Sequence, residues 1–168
     1  MKTLETVFVV ALAAMTSCDT NNGLTRPNLS NQVAGTYNGT LKSSLTQSEI
    51  PAAAVVSSVN DYTIMVHCYN TVYDTTFSLE LYQDTGNMMR VCLTDKDFKN
   101  EYGHDMSANH HMMGGNMGNW TSWQQHMNAE HNPDDEHYGY FDMGTMTFTY
   151  TFDLMATCGY TQSFTGKR

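Results

Sequence analysis

The sequence predicts a mainly β protein made of short antiparallel strands. From Val33 onward, short runs rich in Thr, Tyr, Val and Phe are separated by Gly, Asn and Asp, which is typical of such strands. The clearest run, TMTFTYTFDLM at 145–155, places Met146, Phe148, Tyr150, Phe152 and Leu154 on one face and mostly threonines on the other. The chain length of 168 residues fits one domain and is short for two.

Weaker alternation predicts five further strands and one hairpin. In chain order the strand runs are VAGTYNGTLK from Val33, DYTIMVHCY from Asp61, DTTFSLELYQ from Asp74, MMRVCLT from Met88 and EHYGYFDM from Glu136. The sequence QDTGN at 83–87 has the composition of a tight turn, so the strands that flank it should pair directly. Between Lys42 and Asn60 the chain is rich in Ser and Ala, and Pro51 lacks the N–H that a central strand needs. We therefore expect a loop there, which could include a helical turn.

The N-terminus predicts export and a lipid anchor. Lys2 precedes an apolar run from Val7 to Met15, and small residues then lead to Cys18. This arrangement resembles a bacterial lipoprotein signal, which implies that Cys18 is lipidated and becomes the new N-terminus. The alternative is an ordinary secretory peptide that leaves Cys18 as a thiol. Residues 19–32 are polar and are predicted to form a flexible tether.

The two ends of the remaining chain resemble a known family. The run VAGTYNGTL at 33–41 is similar to the opening strand of the lipocalin-like or calycin-like β-barrel lipoproteins of Bacteroidetes, and QSFTGKR at 162–168 is similar to their closing strand. The resemblance implies one small antiparallel β-barrel, or a barrel-like sandwich, over 33–168. With a lipid anchor at Cys18, we expect the protein to face the periplasm or the cell surface, with the outer membrane favoured. The segment 101–137 departs from the family pattern, and we interpret it as an insertion.

The net charge argues against one class of binding partner. The net charge of −9 is opposite in sign to what binding a phosphate backbone requires, so nucleic acid is not an expected partner.

Besides Cys18 the chain has Cys68, Cys92 and Cys158, which allow at most one intramolecular disulfide. Strand alternation places Cys68 and Cys92 on opposite faces, which argues against joining those two. The pairing stays open.

The insertion concentrates side chains that bind metals. Six of the seven histidines lie between residues 104 and 137, together with five methionines. A His-rich tract of this kind indicates metal binding. The candidate ligands are His104, Met106, His110, His111, Met112, Met113, Met117, His126, Met127, His131 and His137.

The ligand types favour copper. Imidazole suits copper, zinc and nickel, whereas the thioether of methionine is soft and favours Cu(I) or Ag(I). Methionine also resists loss to disulfide chemistry outside the cytoplasm. The acidic run EHNPDDEH at 130–137 suits Zn(II) or Cu(II) better, or it is simply an acidic surface turn. Copper is thus the expected ion, with zinc or silver as alternatives.

The second half of the insertion predicts a short helix. In NWTSWQQHMNAEH at 119–131, Trp120, Trp123 and Met127 share one side at helical spacing. His126 and Met127 could then hold a metal beneath the Trp123 ring. The competing interpretation is that the tryptophans and Met127 only pack the helix against the barrel. The first half, from His110 to Met117, is predicted to be flexible.

The sequence leaves three candidate functions, none of them enzymatic. No GxSxG, phosphate-binding loop or HExxH motif is present, so we do not expect an enzyme. His67 lies outside the cluster on a strand and is left out of the site. The first hypothesis is copper binding for sequestration, buffering or transfer. The others are a module that binds a small apolar molecule or a protein partner, with Phe148, Tyr150 and Phe152 lining the pocket, and a structural envelope role.

Overall fold

The protein is mainly β, as the alternation predicts. The computed structural model describes residues 28–102, 123–130, 138–154 and 159–168. In chain order its elements are α1 (Leu29–Val33), β1 (Gly35–Ser43), β2 (Glu49–Ser58), β3 (Thr63–Tyr69), β4 (Asp74–Gln83), β5 (Met88–Leu93), α2 (Asp95–Tyr102), α3 (Trp123–Glu130), β6 (Gly139–Asp142), β7 (Thr147–Leu154) and β8 (Tyr160–Lys167).

The eight strands form a closed antiparallel barrel in sequence order. Each strand pairs with the next, and β8 returns to β1 with Gly39 opposite Gly166 and Leu41 opposite Phe164. This closure removes the open sheet edges that would otherwise invite pairing with other chains. The fold is compatible with the lipocalin-like architecture that the two end motifs imply.

The barrel interior is filled by the inward-facing side chain of every second residue. On β7, Phe148 and Tyr150 are buried as predicted, and Phe152 packs against the same core. The Phe141 and Phe148 rings stack with centroids 4.3 Å apart, and Tyr37 meets both rings edge-on. Filling by side chains is the usual condition of an eight-stranded barrel.

One end of the barrel is closed by α1, and we call it the α1 end. The Asn28 side chain caps the helix by accepting from the Asn31 N–H, and the N–H groups of Leu29 and Ser30 donate to the Asp61 carbonyl at 2.9 and 3.1 Å. Leu29 and Val33 are buried in the core. The sequence assigns residues up to 32 to the tether, but a cap and two buried apolar side chains suffice to order residues 29–33.

The stretch from Lys42 to Asn60 contains a strand, β2, so the prediction of a loop there is wrong. Pro51 pairs with Thr40 of β1, whereas pairing of β2 with β3 begins only at Ala53. At Pro51, therefore, β2 is paired with β1 but not with β3, and the missing N–H interrupts no hydrogen bond to β3. A proline is tolerated at such a position, as it is on an edge strand.

The predicted hairpin is confirmed, and one predicted core residue is not. Gln83 of β4 pairs with Met89 of β5 across a turn in which Gly86 takes a φ of 64°. Met146, in contrast, lies in the β6–β7 turn with a φ of 54° and is 38 % exposed. The predicted run at 145–155 thus begins two residues before β7, inside the turn.

The connection between β5 and β6 runs from residue 94 to 138 and contains two helices. One helix, α3, lies within the predicted helical stretch, and the other, α2, has no counterpart among the sequence predictions. The helix α2 precedes the segment that carries the histidines and methionines, and α3 lies within that segment and carries His126 and Met127. No helix among the described residues combines the length and apolar character that crossing a bilayer requires.

Candidate functional site

The insertion leaves and re-enters the barrel at one end, which we call the insertion end. Because the strands alternate in direction, the end of β5 at Leu93 and the start of β6 at Gly139 lie opposite the α1 end. Most sequence-predicted ligands lie outside the described residues. They are His104, Met106, His110, His111, Met112, Met113, Met117, His131 and His137, and the same holds for the predicted lipidation residue Cys18.

Two candidate ligands, His126 and Met127, are described, and both lie on α3. His126 is 1 % exposed, and its ring stacks on the Tyr82 ring with centroids 3.7 Å apart and an interplanar angle of 21°. The Trp123 ring lies 5.6 Å from His126 and 6.1 Å from Tyr82. Met127 is half-buried. These contacts give Trp123 and His126 a packing role, and metal binding by His126 stays a prediction.

Tyr82 receives α3 because it points away from the barrel interior. Its neighbour Leu81 is part of the barrel core, so strand alternation directs Tyr82 to the outer face of β4. The Tyr82 hydroxyl donates to a Glu80 carboxylate oxygen at 2.5 Å. This charge-assisted hydrogen bond fixes the ring on which His126 stacks.

A second hydrophobic cluster attaches the insertion to the outer wall of the barrel. We call it the outer cluster. Its buried members are Tyr82, Cys92 and Phe98, and Trp123 and Leu93 pack against them. Phe98 of α2 is fully buried, and its N–H donates to the Thr94 carbonyl at 2.7 Å. Both described helices of the β5–β6 connection therefore meet the outer face of β4 and β5.

The described residues alone do not form a metal site. Within residues 28–102, 123–130, 138–154 and 159–168, no three His, Cys, Asp or Glu side chains come together as a metal-binding group. His67, which the sequence leaves out of the site, lies on the outer face of β3. Its Nε2 is 2.8 Å from Asp74 Oδ1, and its ring stacks on Tyr69 at 4.8 Å.

Cys68 and Cys92 face opposite sides of the barrel wall, as the alternation predicts. Cys68 lies in the interior core, whereas Cys92 belongs to the outer cluster. These directions rule out a disulfide between the two. Cys158 lies outside the described residues.

Burial raises the pKa of the Cys68 thiol to about 12. Burial has this effect because it disfavours the thiolate. At pH 8 on the order of one Cys68 side chain in ten thousand should be ionised, and the side chain is 1 % exposed. We expect Cys68 to resist alkylation by iodoacetamide in the folded protein and to react in urea, as peptide mapping by mass spectrometry would measure. Native alkylation of Cys68 as fast as in urea would contradict this placement.

The insertion end contains a cavity of about 260 Å³ with an aromatic wall, which we call the aromatic cavity. Phe77 and Phe152 lie 5.3 Å apart, Tyr73 lies 5.3 Å from Phe152, and Tyr150 closes the group at 5.0 Å from Phe152. Phe152 and Tyr150 are among the predicted pocket residues, whereas Phe148 lies deeper in the core. Tyr73 and Phe77 carry no sequence signal that distinguishes them from core residues.

Both stems of the insertion contribute to this cavity. Asn100 of α2 and Tyr138, which precedes β6, line it. The Tyr138 carbonyl accepts from the Thr151 N–H at 2.7 Å, and its hydroxyl donates to Asp153 at 3.4 Å. Burial raises the pKa of the Tyr73 hydroxyl well above its usual range, and the nearby Cys68 raises it further. Tyr73 is therefore a neutral hydroxyl at physiological pH.

A second cavity of about 260 Å³ adjoins the first across the β7–β8 pair. We call it the Gln162 cavity, after the polar side chain in its wall. Leu41, Ile50 and Tyr160 also line it. Gln162 pairs with Phe152 of the aromatic cavity, so the two cavities meet at neighbouring positions. No protein-family model matches the chain, and neither do curated proteins or solved structures.

Proposed function

We propose that this protein is an exported, membrane-anchored lipoprotein that binds copper through residues 104–137 and sequesters, buffers or transfers it. The observation that carries the proposal is the concentration of six of the seven histidines in that one segment. In this proposal Cys18 is the lipid anchor, and the protein is not an enzyme. The ligands would be drawn from the eleven histidines and methionines named above.

The barrel gives this function a scaffold that is independent of the ligands. All eight strand pairs are made by residues outside 104–137. The outer cluster holds α2 and α3 against the wall, so both described helices of the β5–β6 connection have a defined position. If the stretch from His110 to Met117 is flexible, as the sequence predicts, metal binding there would cost the free energy of ordering it.

The choice of copper follows from the mixture of ligands. Histidine alone would suit zinc as well as copper, but the methionines add affinity chiefly for Cu(I), or for Ag(I). The adjacent His110, His111, Met112 and Met113 offer both ligand types within four residues. One segment could thereby hold both copper valence states.

We expect the two valence states to respond differently to pH. Histidine must be neutral to bind, so loading with Cu(II) or Zn(II) should fall as the pH drops below about 6. Cu(I) held by thioethers should persist, because methionine does not titrate. Competition titrations of the full chain at pH 7.5 and 5.5 measure both. Parallel loss of Cu(I) and Cu(II) would contradict a thioether site, and affinities no tighter than about micromolar for any of the ions would end the proposal.

Matched variants separate the ligands from general effects. Replacing Met112, Met113 and Met117 together with leucine preserves volume while removing sulfur. We expect Cu(I) affinity to fall at least about tenfold, with little change for Zn(II). Met65→Leu, on the outer face of β3 and 43 % exposed, is the control and should leave both affinities unchanged.

A second candidate function is binding of a small, mostly apolar molecule at the insertion end. The observation that favours it is the pair of adjoining cavities, whose walls are rich in aromatic and aliphatic side chains. Pockets with apolar walls and a few polar groups are the usual form of small-molecule sites. Each cavity is smaller than the roughly 300–1,000 Å³ of drug-sized sites, so the molecule would be small.

A further inference from the structure

Gln162 is an unusual residue for the position that it occupies. It lies on β8 two residues before Phe164, so both side chains face the barrel interior. Its cross-strand neighbours are Ser43 on β1 and Phe152 on β7. Phe164 is fully buried in the core. The inward face of β8 thus carries a polar amide at Gln162 beside an apolar core residue at Phe164.

The amide oxygen of Gln162 is a hydrogen-bond acceptor that receives no hydrogen bond from the described residues. Oε1 is buried, and it accepts no hydrogen bond from any residue in the described part of the chain. A buried acceptor without a donor costs free energy, and an apolar side chain of similar shape would avoid that cost. Since most buried polar groups are satisfied, we expect a donor from an ordered water or a bound molecule at this oxygen.

The surroundings of Gln162 define the chemistry of a molecule that would satisfy it. Its own cavity has a mixed wall, in which Leu41 and Ile50 are aliphatic and Ser43, Thr46 and Ser48 are polar. Phe152, its partner on β7, belongs to the aromatic cavity. The rings that line the aromatic cavity have centroids 4.9–5.3 Å apart. An aromatic ring bound in that cavity could pack against them at similar distances. The body of the molecule should therefore be aromatic.

Charge argues against an anionic molecule. Among the described residues that line the two cavities, Asp153 is the one charged side chain, and its carboxylate accepts a hydrogen bond from Tyr138. Those lining residues include no Lys, Arg or His that could pair with a carboxylate or phosphate. Anionic molecules are thus disfavoured.

We infer that the insertion end binds a small aromatic molecule that is not anionic and carries a hydroxyl or N–H group, and that this group donates a hydrogen bond to Gln162 Oε1. The inference rests on the second candidate function above and makes Gln162 the residue that determines specificity. A site built to receive a hydrogen bond rejects an analogue that cannot make it, because the buried polar group is then left unpaired.

The test compares two probes that differ in one hydrogen-bond donor. The first is 2-naphthol, and the second is 2-methoxynaphthalene, which has the same rings but no O–H. Titrations of the full chain, followed by naphthalene fluorescence, should give about tenfold tighter binding of 2-naphthol. Equal affinities for the two probes would overturn the inference while leaving the second candidate function in place. Failure of both probes to bind would overturn the two together.

Substitution of Gln162 supplies the second arm of the test. Gln162→Leu should bind the two probes equally, and its melting temperature should be no lower than that of the unmodified chain, because the unsatisfied acceptor is gone. Gln162→Met is a second variant that adapts its shape more easily. Thr165→Val, at an exposed outward position of β8, is the control and should keep the tenfold preference. A preference that survives in both Gln162 variants would overturn the role of Gln162.

Discussion

Replacing Gly39 with alanine is expected to prevent closure of the barrel. Gly39 lies on β1 opposite Gly166 of β8, where a Cβ would fall 1.9 Å from the Thr165 carbonyl oxygen and 2.4 Å from the Gly166 Cα. Both atoms belong to the backbone, so no side-chain rotation relieves the overlap. The strands must separate, and we expect a loss of at least about 3 kcal/mol in the free energy of unfolding.

Urea denaturation followed by far-UV circular dichroism measures this loss. Thr36→Ala is the matched control, because Thr36 is an exposed outward residue of the same strand. That substitution should cost no more than about 1 kcal/mol. A Gly39→Ala variant as stable as the control would show that β1 and β8 do not approach as closely as the register requires.

Replacing Phe98 with alanine is expected to detach the insertion from the barrel wall while the barrel stays folded. Phe98 is fully buried in the outer cluster and has no part in the barrel core. Truncating a buried phenylalanine typically costs about 3–5 kcal/mol, and here that cost falls on the docking of α2 and α3.

The positions of the two tryptophans make this prediction measurable. Trp120 and Trp123 both lie in the insertion, so tryptophan fluorescence reports on the insertion and circular dichroism on the strands. In Phe98→Ala the fluorescence transition should come at a lower temperature than the circular dichroism transition. Lys96→Ala, an exposed position on α2, is the control. Coincident transitions in Phe98→Ala at the midpoint of the unmodified chain would contradict the docking role.

The strands that the sequence predicts well are those with strict local alternation. On β7 the period of two appears in the residues themselves, and the tight turn before β5 has recognisable turn residues. Pro51 misled the prediction of β2 because its tolerance depends on where β3 begins to pair, which is a property of the sheet. The helix α2 has one buried apolar side chain, Phe98, among its described residues, so it lacks the apolar periodicity that predicts helices.

The candidate sites also differ in whether local sequence reveals them. The His/Met segment is visible in composition because its residues are neighbours along the chain. The burial of His126 is not visible there, since it depends on Tyr82, which lies 44 positions earlier. The two cavities are assembled from several strands by closure of the barrel. No local pattern could place Gln162 beside Phe152 before the register of β7 and β8 was known.

The proposed copper function is tested most directly by replacing residues 104–137 with a Gly/Ser linker of equal length. We predict that the variant keeps the circular dichroism spectrum of the barrel, because all eight strand pairs lie outside the replaced segment. In a competition titration it should bind Cu(I) no more tightly than about micromolar, whereas the unmodified chain binds it more tightly. Cu(I) binding by the linker variant with the affinity and stoichiometry of the unmodified chain would contradict the proposal.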